Sequence, residues 1–338
     1  MKLSNDKFKQ FSKQKIVIIG DLVADQFLRG TIARVSREAP VFILRHDETE
    51  TLPGAAANAA ANVASLGGMA VLIGFSGKDA NGAALLDALK EANVNCDFVV
   101  ASEDFQTTTK VRVIAGQHYA ARQQVIRIDY ENKKTISAEL RNQLKENILQ
   151  ASENADAIII SDYDYGVATT EIIELARRIA KDKNIPLVVD SRFRLRDFRG
   201  ATSATPNQDE VEQILGKGFT ETDCIRLCQE LGFEALLVTR GNQGIMLIER
   251  NKKPFYQKAI GAQEPIDVTG AGDTVIAVYA LGLASGLSFA EAAESANHAG
   301  GIVVMKKCTA TVNIEELAAS IEKSNRTRMN ADAADFRG

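Results

Sequence analysis

The stretch Asp267-Val268-Thr269-Gly270-Ala271-Gly272-Asp273 ends an extended segment and is followed by an apolar run that begins at Thr274. Two glycines separated by one small residue let backbone N–H groups turn toward a ligand, and a following helix adds the positive end of its dipole. Such a corner binds anions, most often phosphate. Asp273 would repel a phosphate there, so either it is a base that removes a hydroxyl proton or it caps an ordinary helix.

Around this corner, short β-branched runs alternate with helical patterns. The runs are 16–19, 71–73, 157–160, 187–189 and 235–238. Because every residue in them is apolar, they predict strands that are buried on both faces of a parallel sheet. Helices are predicted over 55–66, 82–92, 138–150, 170–181, 209–215, 221–231 and 273–283. The pattern predicts an α/β fold, with a mostly parallel central sheet and helices on both faces.

Two segments interrupt this alternation. Residues 28–52 and 106–130 read as extended pieces with mixed polar and apolar faces. They predict a small antiparallel β sheet. In an open α/β protein the ligand lies beyond the carboxyl ends of the strands, so a sheet inserted there would act as a lid. The lid turn would place His118 and Tyr119 over the mouth of the site.

Composition narrows the class of function. The chain has 338 residues, 45% of them hydrophobic, and a formal net charge of -4. Mixed charges argue against nucleic acid as a partner. No signal-peptide core and no apolar run of about 18 residues is found, so we expect a cytoplasmic protein with no membrane partner. The four cysteines form no CxxC pair and are expected to be reduced thiols. We expect one domain over 1–338 with a frayed tail at 325–338.

The phosphate-binding fingerprints of other folds are missing from the sequence. No GxGxxG follows a predicted strand, and no GxxxxGK[ST] occurs; residues 74–79 fail that pattern. Phosphate binding must then rest on the corner at 270–273 and on the ends of the strands.

Small and polar residues gather at four further strand ends and helix starts. They occupy 20–25, 53–58, 205–210 and 238–244. Each alone is explained by a turn or a helix cap. Together, in this order, they resemble the ribokinase-like (PfkB) family of sugar kinases over about residues 14–325. The most specific stretches are the small-residue helix start 54–58 and the corner at 267–273.

The resemblance implies a ribokinase-like fold and an ATP-dependent carbohydrate kinase. Asp273 would be the catalytic base, and Gly270, Ala271 and Gly272 would form the anion hole. The chemistry agrees, because phosphoryl transfer needs an oriented hydroxyl, a base beside it, and donors to the γ-phosphate oxygens.

On the sugar side, the resemblance implies that Asp25, Gly54 and Asn58 hold hydroxyl groups, a task that suits carboxylate and amide groups. Within the family, the sequence is most similar to kinases that phosphorylate heptose 7-phosphate at C1. Segments 34–41 and 161–163 carry this likeness. A bifunctional heptose enzyme would need a second, nucleotide-transferring domain, so adenylyl transfer is expected on another protein.

Several departures leave the substrate open. Ala55 stands where the subfamily has a second glycine, and Tyr165 and Arg192 stand where it has lysines that could meet a sugar phosphate. Arg192 could replace them, since guanidinium groups bind phosphate bidentately; a solvated basic loop over 192–199 is the alternative. An unphosphorylated sugar or a nucleoside, of the ribose, fructose or adenosine type, is the alternative substrate. A catalytically silent, ligand-sensing relative is the alternative class of protein.

On the nucleotide side, the resemblance implies ATP and Mg²⁺. Asn207 and Glu210 match the family's N-x-x-E motif, which positions Mg²⁺ largely through water, as that ion prefers. Thr239 and Gly241 match the loop that binds the nucleotide phosphates. Asn297 falls at the adenine pocket.

Three expectations concern the periphery of the site. His298 either lines the adenine pocket or packs within its helix. The family's monovalent cation site, for K⁺, would use carbonyls near Asp267, but Cys308 replaces a frequent glycine there and puts that site in doubt. Lid sheets of the family often pair across a dimer, and an exposed edge at 41–44 needs cover, so we expect a homodimer.

Overall fold

A computed structural model describes residues 5–116, 122–131, 136–261 and 264–335. The helices are α1 (Asn5–Phe8), α2 (Ala56–Ser65), α3 (Ala80–Glu91), α4 (Ala138–Ala151), α5 (Thr170–Lys183), α6 (Gln208–Leu215), α7 (Glu221–Leu231), α8 (Ala271–Ala284), α9 (Phe289–Val303) and α10 (Ile314–Asp335). The strands are β1 (Lys15–Gly20), β2 (Leu22–Val35), β3 (Phe42–Ala55), β4 (Met69–Ile73), β5 (Phe75–Gly77), β6 (Val100–Ser102), β7 (Thr109–Gly116), β8 (Gln123–Tyr130), β9 (Ala157–Asp162), β10 (Leu187–Ser191), β11 (Ser203–Ala204), β12 (Ala235–Thr239), β13 (Ile245–Glu249) and β14 (Phe255–Gln257).

The central sheet has eight strands in the order β14-β13-β12-β11-β10-β9-β1-β4. Six neighbouring strands of this sheet run parallel: β12, β11, β10, β9, β1 and β4. Strands β13 and β14 complete the sheet by antiparallel pairing. All five apolar runs that predicted strands lie in this sheet. The mostly parallel architecture predicted from the sequence is therefore confirmed.

Helices cover both faces of the central sheet. Ile16 and Ile18 pack into the hydrophobic cluster under α2, α8 and α9, whereas Val17 and Ile19 pack into the cluster under α4, α5 and α7. These four β1 side chains are 0% exposed, and each contributes roughly 1.5–3 kcal/mol through burial. Residues 16–19 are therefore apolar without interruption because helices cover both faces of strand β1.

The lid is a four-stranded sheet in the order β3-β2-β7-β8. Its outer pairs are antiparallel, as predicted, but β2 and β7 pair in parallel. The two strands start side by side, with Ala24 opposite Thr109, and run outward in the same direction. The lid is therefore a mixed sheet.

The C-terminal helix α10 continues to Asp335 and so enters the segment 325–338 that we expected to be frayed. Fraying of that segment stays a prediction. Across the described ranges, no helix is long and apolar enough to cross a membrane.

The join between lid and core is a strained turn at Ala55. Strand β3 passes directly into α2 there, and Ala55 has φ 54° and ψ −130°, a conformation that only glycine adopts without strain. Gly54 has no room for a side chain, because a Cβ would lie 2.6 Å from Asp25 Oδ2. The backbone thus has the shape of a double-glycine turn with an alanine in its second position.

We expect Ala55→Gly to raise the free energy of unfolding by about 1 kcal/mol, because it removes this backbone strain. Urea denaturation measures the change. The matched control is Ala60→Gly inside α2, which should lower the free energy of unfolding by roughly 1 kcal/mol or more. A loss of stability in both variants would contradict strain at Ala55.

Candidate active site

The corner at 267–273 begins helix α8, as the sequence predicts. Gly270 precedes the helix with φ 77°, and a Cβ on it would lie 2.4 Å from Asn58 Nδ2. Only glycine fits that position. Gly270, Ala271 and Gly272 line a cavity of about 210 Å³, and the first N–H groups of a helix need partners from outside it. This arrangement suits an anion hole.

Asp273 lies beside this cavity with its carboxylate held from two sides. The side chain is buried; Asn58 Nδ2 donates to Oδ2 at 2.9 Å, and the Tyr163 hydroxyl donates to Oδ1 at 3.0 Å. Burial raises the pKa of Asp273 to about 7, against the opposing effect of these two hydrogen bonds. A carboxyl group that titrates near neutral pH is well matched to accept a hydroxyl proton.

The position of Tyr163 depends on Asp21, at the end of β1. The Asp21 carboxylate accepts three backbone N–H groups from the loop after β9: Tyr163 at 2.8 Å, Tyr165 at 3.1 Å and Val167 at 3.2 Å. Burial raises the pKa of Asp21 to about 6, although these hydrogen bonds oppose the rise. The sequence carries Asp21 and Tyr163 only as marks of family likeness, and no local pattern connects either to Asp273.

The predicted sugar side assembles around Asp25, on the inner end of β2. Asp25 is 4% exposed, and Arg112 donates to its Oδ1 at 3.2 Å. Burial raises the pKa of Asp25, while Arg112 lowers it. The charge of Asp25 also raises the pKa of Asp273, which shows that the two carboxylates lie within electrostatic reach of each other.

Asn58 makes more contacts within the protein than the sequence predicts. Besides its hydrogen bond to Asp273, its Oδ1 accepts from Asn62 Nδ2 at 3.2 Å, and its side chain is 1% exposed. The amide therefore orients the base. Its contact with a sugar hydroxyl stays a prediction.

Among the clustered arginines, the structure separates one from the rest. Arg194 pairs with Asp162 and Asp164, and Arg196 and Arg199 pair with Glu230. Arg192 instead is exposed and lines the small cavity beside the anion hole. Only Arg192 of these four can meet a ligand in that cavity.

The predicted nucleotide residues line a larger cavity of about 660 Å³ that reaches the same corner; they are Asn207, Thr239, Gly241 and Asn297. Asn297 Nδ2 donates to the Lys258 carbonyl at 2.8 Å. His298, by contrast, is 0% exposed and its Nδ1 lies 2.8 Å from Ser320 Oγ of α10. The structure therefore favours the packed-helix interpretation of His298.

Asn207 and Glu210 form a reciprocal cap on helix α6. Asn207 Oδ1 accepts from the Glu210 N–H at 2.9 Å, and Glu210 Oε2 accepts from the Asn207 N–H at 2.8 Å. Glu210 and Asp190 both line the small cavity. Burial raises the pKa of both, and the charge of Glu210 further raises that of Asp190. Asp190 was not among the predicted site residues.

This donor set fits a hydrated Mg²⁺ ion. The carboxylates of Glu210 and Asp190 lie beside the anion hole, and a cation would relieve the repulsion between them. Mg²⁺ keeps several waters and uses few protein oxygens. Within the described part of the chain, no three His, Cys, Asp or Glu side chains converge closely enough to hold a metal ion directly. Glu210 and Asn207, with Asp190, would therefore act largely through water.

The loop expected at the monovalent cation site keeps a glycine-like shape despite its cysteine. Cys308 has φ 63°, and its N–H donates to Asp267 Oδ2 at 3.0 Å. Arg29, from the lid, donates to Cys308 Sγ at 3.5 Å. The K⁺ site itself stays a prediction. His118 and Tyr119 lie outside the described residues.

Residues 13–316 match the family described as pfkB family carbohydrate kinase. The chain belongs to the pfkB family of carbohydrate kinases. It is accordingly an ATP-dependent carbohydrate kinase. The bifunctional protein HldE of Vibrio parahaemolyticus is 39% identical over 324 residues, which cover 94% of this chain and 65% of that protein. HldE of Proteus mirabilis is 38% identical over 317 residues, which cover 92% of this chain and 64% of that protein. The chain thus spans slightly less than two thirds of the length of these relatives.

Solved structures of other kinases share the fold. Arabidopsis thaliana ribokinase, solved with ribose and ATP, superposes with a TM-score of 0.70 at 21% identity, covering 91% of this chain and 98% of that one. Phosphofructokinase-2 from Escherichia coli, solved with potassium, gives a TM-score of 0.74 at 19% identity, covering 92% and 98%. The ribokinase-like fold predicted from the sequence is confirmed.

Proposed function

We propose that this kinase transfers the γ-phosphoryl group of ATP to the C1 hydroxyl of a heptose 7-phosphate. The observation that carries the reaction is the buried carboxylate of Asp273, held by Asn58 and Tyr163 beside the anion hole. The heptose substrate is supported by the subfamily likeness in the sequence and by 37–39% identity to proteins named HldE.

In the proposed mechanism, the sugar lies between Asp25 and Asp273. Asp25 accepts hydrogen bonds from sugar hydroxyls and fixes the orientation of the ring. Asp273 removes the proton of the attacking hydroxyl as its oxygen approaches the γ-phosphorus in line, and the N–H groups at 270–272 stabilise the charge on the γ-phosphate oxygens. The proton remains on Asp273 until the product leaves. Mg²⁺, which Glu210, Asn207 and Asp190 would hold largely through water, would neutralise charge on the phosphates when bound.

The substrate is tested by following ADP release with heptose 7-phosphate, free heptose, ribose, fructose and adenosine. We expect kcat/KM for heptose 7-phosphate to exceed that for each of the other compounds by about a hundredfold or more, since a site built to pair with a phosphate group rejects an analogue that lacks it. A preference for a neutral sugar or a nucleoside contradicts the substrate. If calorimetry shows that ATP binds but no ADP is released in the presence of any of these sugars, a ligand-sensing protein is favoured instead.

We further propose a homodimer that pairs through the lid. Apolar side chains on the lid are largely exposed: Val35 55%, Val41 56%, Phe42 60%, Val125 47%, Ile126 53% and Ile128 41%. Apolar residues on an outer strand favour association with a second copy. Phosphofructokinase-2 from Escherichia coli has a tetrameric inhibited form, which shows that this fold supports assembly.

The double variant Phe42→Asp with Ile128→Lys is expected to sediment as a monomer, because it places a charge on each of the two outer strands of the lid, β3 and β8. Analytical ultracentrifugation measures the change. Leu149→Lys, at an exposed apolar position on α4, is the matched control and should leave the dimer intact. A wild-type protein that sediments as a monomer contradicts the lid dimer.

A further inference from the structure

Lys110 is a buried cation at the sugar side of the site. It lies on β7, opposite Asp25 of β2 and Asp129 of β8. Residues that face each other across neighbouring strands share one face of a sheet, so the three side chains form a row on the lid. Lys110 is 8% exposed. Its ammonium makes no hydrogen bond or ion pair with any residue in the described ranges.

The carboxylates beside Lys110 are already neutralised by arginines. Arg112 donates to Asp25 Oδ1 at 3.2 Å, and Arg127 Nε lies 2.9 Å from Asp129 Oδ1. Each acid in the row thus has its own partner from the next row. No carboxylate in the described part of the chain contacts Lys110 directly, so its charge is balanced only at a distance, by Asp25, Asp129 and Asp273, and a buried charge without a contacting anion is costly.

Two aromatic rings hold the ammonium in place. Lys110 Nζ lies 5.3 Å from the ring centroid of Tyr163 and 5.7 Å from that of Tyr165. Cation–π contacts of this kind position a cation without neutralising it. Tyr163 also donates to Asp273, so a single ring separates Lys110 from the base. Burial lowers the pKa of Lys110, whereas the charges of Asp25 and Asp129 raise it.

We propose that Lys110 binds the phosphate group of the sugar substrate and thereby selects phosphorylated sugars over neutral ones. This rests on the proposed function, whose substrate carries such a group. Tyr165 occupies one of the positions where the subfamily has a lysine, and its ring packs on Lys110. The lid therefore supplies, from β7, a cation that the loop after β9 lacks. Arg192, exposed and stacked on Phe193 at 5.5 Å, is the less desolvated alternative.

The experiment compares wild type with Lys110→Met, Lys110→Arg and Arg192→Met. The matched control is Lys252→Met, at an exposed lysine on the turn between β13 and β14. For each variant, kcat and KM are measured with heptose 7-phosphate and with free heptose. Inorganic phosphate is then tested as a competitive inhibitor against the sugar. Circular dichroism checks that each variant is folded.

We expect Lys110→Met to raise KM for heptose 7-phosphate by about a hundredfold, in the range for loss of a buried charge-assisted contact. Its kcat/KM for free heptose should change less than about threefold, and inhibition by inorganic phosphate should be lost. Lys110→Arg should recover part of the affinity, and Lys252→Met should match wild type.

Two results would overturn the assignment while leaving the kinase function intact. One is an equal loss toward both sugars, which indicates a structural role for Lys110. The other is a selective loss in Arg192→Met with an unchanged Lys110→Met. A wild-type enzyme that prefers neutral sugars, and that inorganic phosphate does not inhibit, overturns both the assignment and the proposed substrate. The wild-type measurement alone distinguishes that case from the others.

Discussion

Asp273→Asn is expected to lower kcat by about a hundredfold or more while leaving the affinity for ATP nearly unchanged. The amide has nearly the same shape as the carboxylate: its oxygen can still accept from Asn58, and its NH2 group can donate to the Tyr163 hydroxyl oxygen, but it cannot take a proton. ADP release measures kcat, and calorimetry measures ATP binding. Asp87→Asn, at an exposed position on α3, is the control and should behave as wild type. Near-normal turnover in Asp273→Asn would remove Asp273 from the role of base.

The pH dependence of the wild-type enzyme follows from the same group. The pKa of Asp273 is raised to about 7 by burial, and only the ionised carboxylate acts as a base. We therefore expect kcat/KM to fall about tenfold for each pH unit below 7 and to level off above it. An acid limb centred near pH 4 would contradict the raised pKa.

The free energy of unfolding should change with pH in the opposite direction to kcat/KM: it should fall as the pH rises. Because the pKa of Asp273 is higher in the folded state than the ordinary 3.8, the folded protein binds more protons than the unfolded chain between those two values. Its contribution to the free energy of unfolding therefore falls as pH rises from about 4 to 7 and stays low above that. Asp273→Asn removes this penalty, so its melting temperature at pH 8 should equal or exceed that of wild type.

Asp21→Ala is expected to lower the free energy of unfolding by about 3–5 kcal/mol, because three N–H groups lose their acceptor at a buried site. These groups belong to Tyr163, Tyr165 and Val167. Loss of the anchor also frees Tyr163 from Asp273, so kcat should fall as well. Urea denaturation and ADP release measure the two effects.

Asp21→Asn is the companion variant, since it keeps one acceptor oxygen at the same place. We expect it to lose less than half as much stability as Asp21→Ala and to remain folded for the kinetic measurement. Wild-type stability in Asp21→Ala would show that the loop after β9 is held by other contacts.

Much of the architecture follows from the sequence because burial leaves a direct mark on it. Strand β1 is covered on both faces, and its residues are apolar without interruption. Strand β11 could not be found in this way, because Ser203–Ala204 is only two residues long and has no apolar run. The parallel pairing of β2 with β7 was also missed, since side-chain alternation reveals a strand but not the direction of its neighbour.

The residues of the candidate site also fall into two groups, those that a local sequence motif reveals and those that only long-range contacts reveal. Asp25, Gly54 and Asp273 stand in motifs that are local in sequence; the structure places Gly54 against Asp25, whose charge acts on Asp273, and their roles stay predictions. Tyr163 lies 110 positions from Asp273, and Lys110 has no motif around it, so their roles depend on contacts that only the folded chain makes. The reciprocal cap formed by Asn207 and Glu210 was visible in principle, because N-x-x-E before an apolar run is a helix-start signal.

The long strands that form the lid change register partway along their length. In the β2–β3 pair, irregularities fall between Arg29 and Gly30 and between Ile32 and Arg34, beyond Asp25 and Gly54. Bulges are where a β ribbon bends most easily. The part of β2 beyond Gly30 is therefore set off by these bends from the inner part that carries Asp25. Because the outer part does not share the alignment of the inner part, we expect substitutions beyond Gly30 to leave unchanged which sugar is bound.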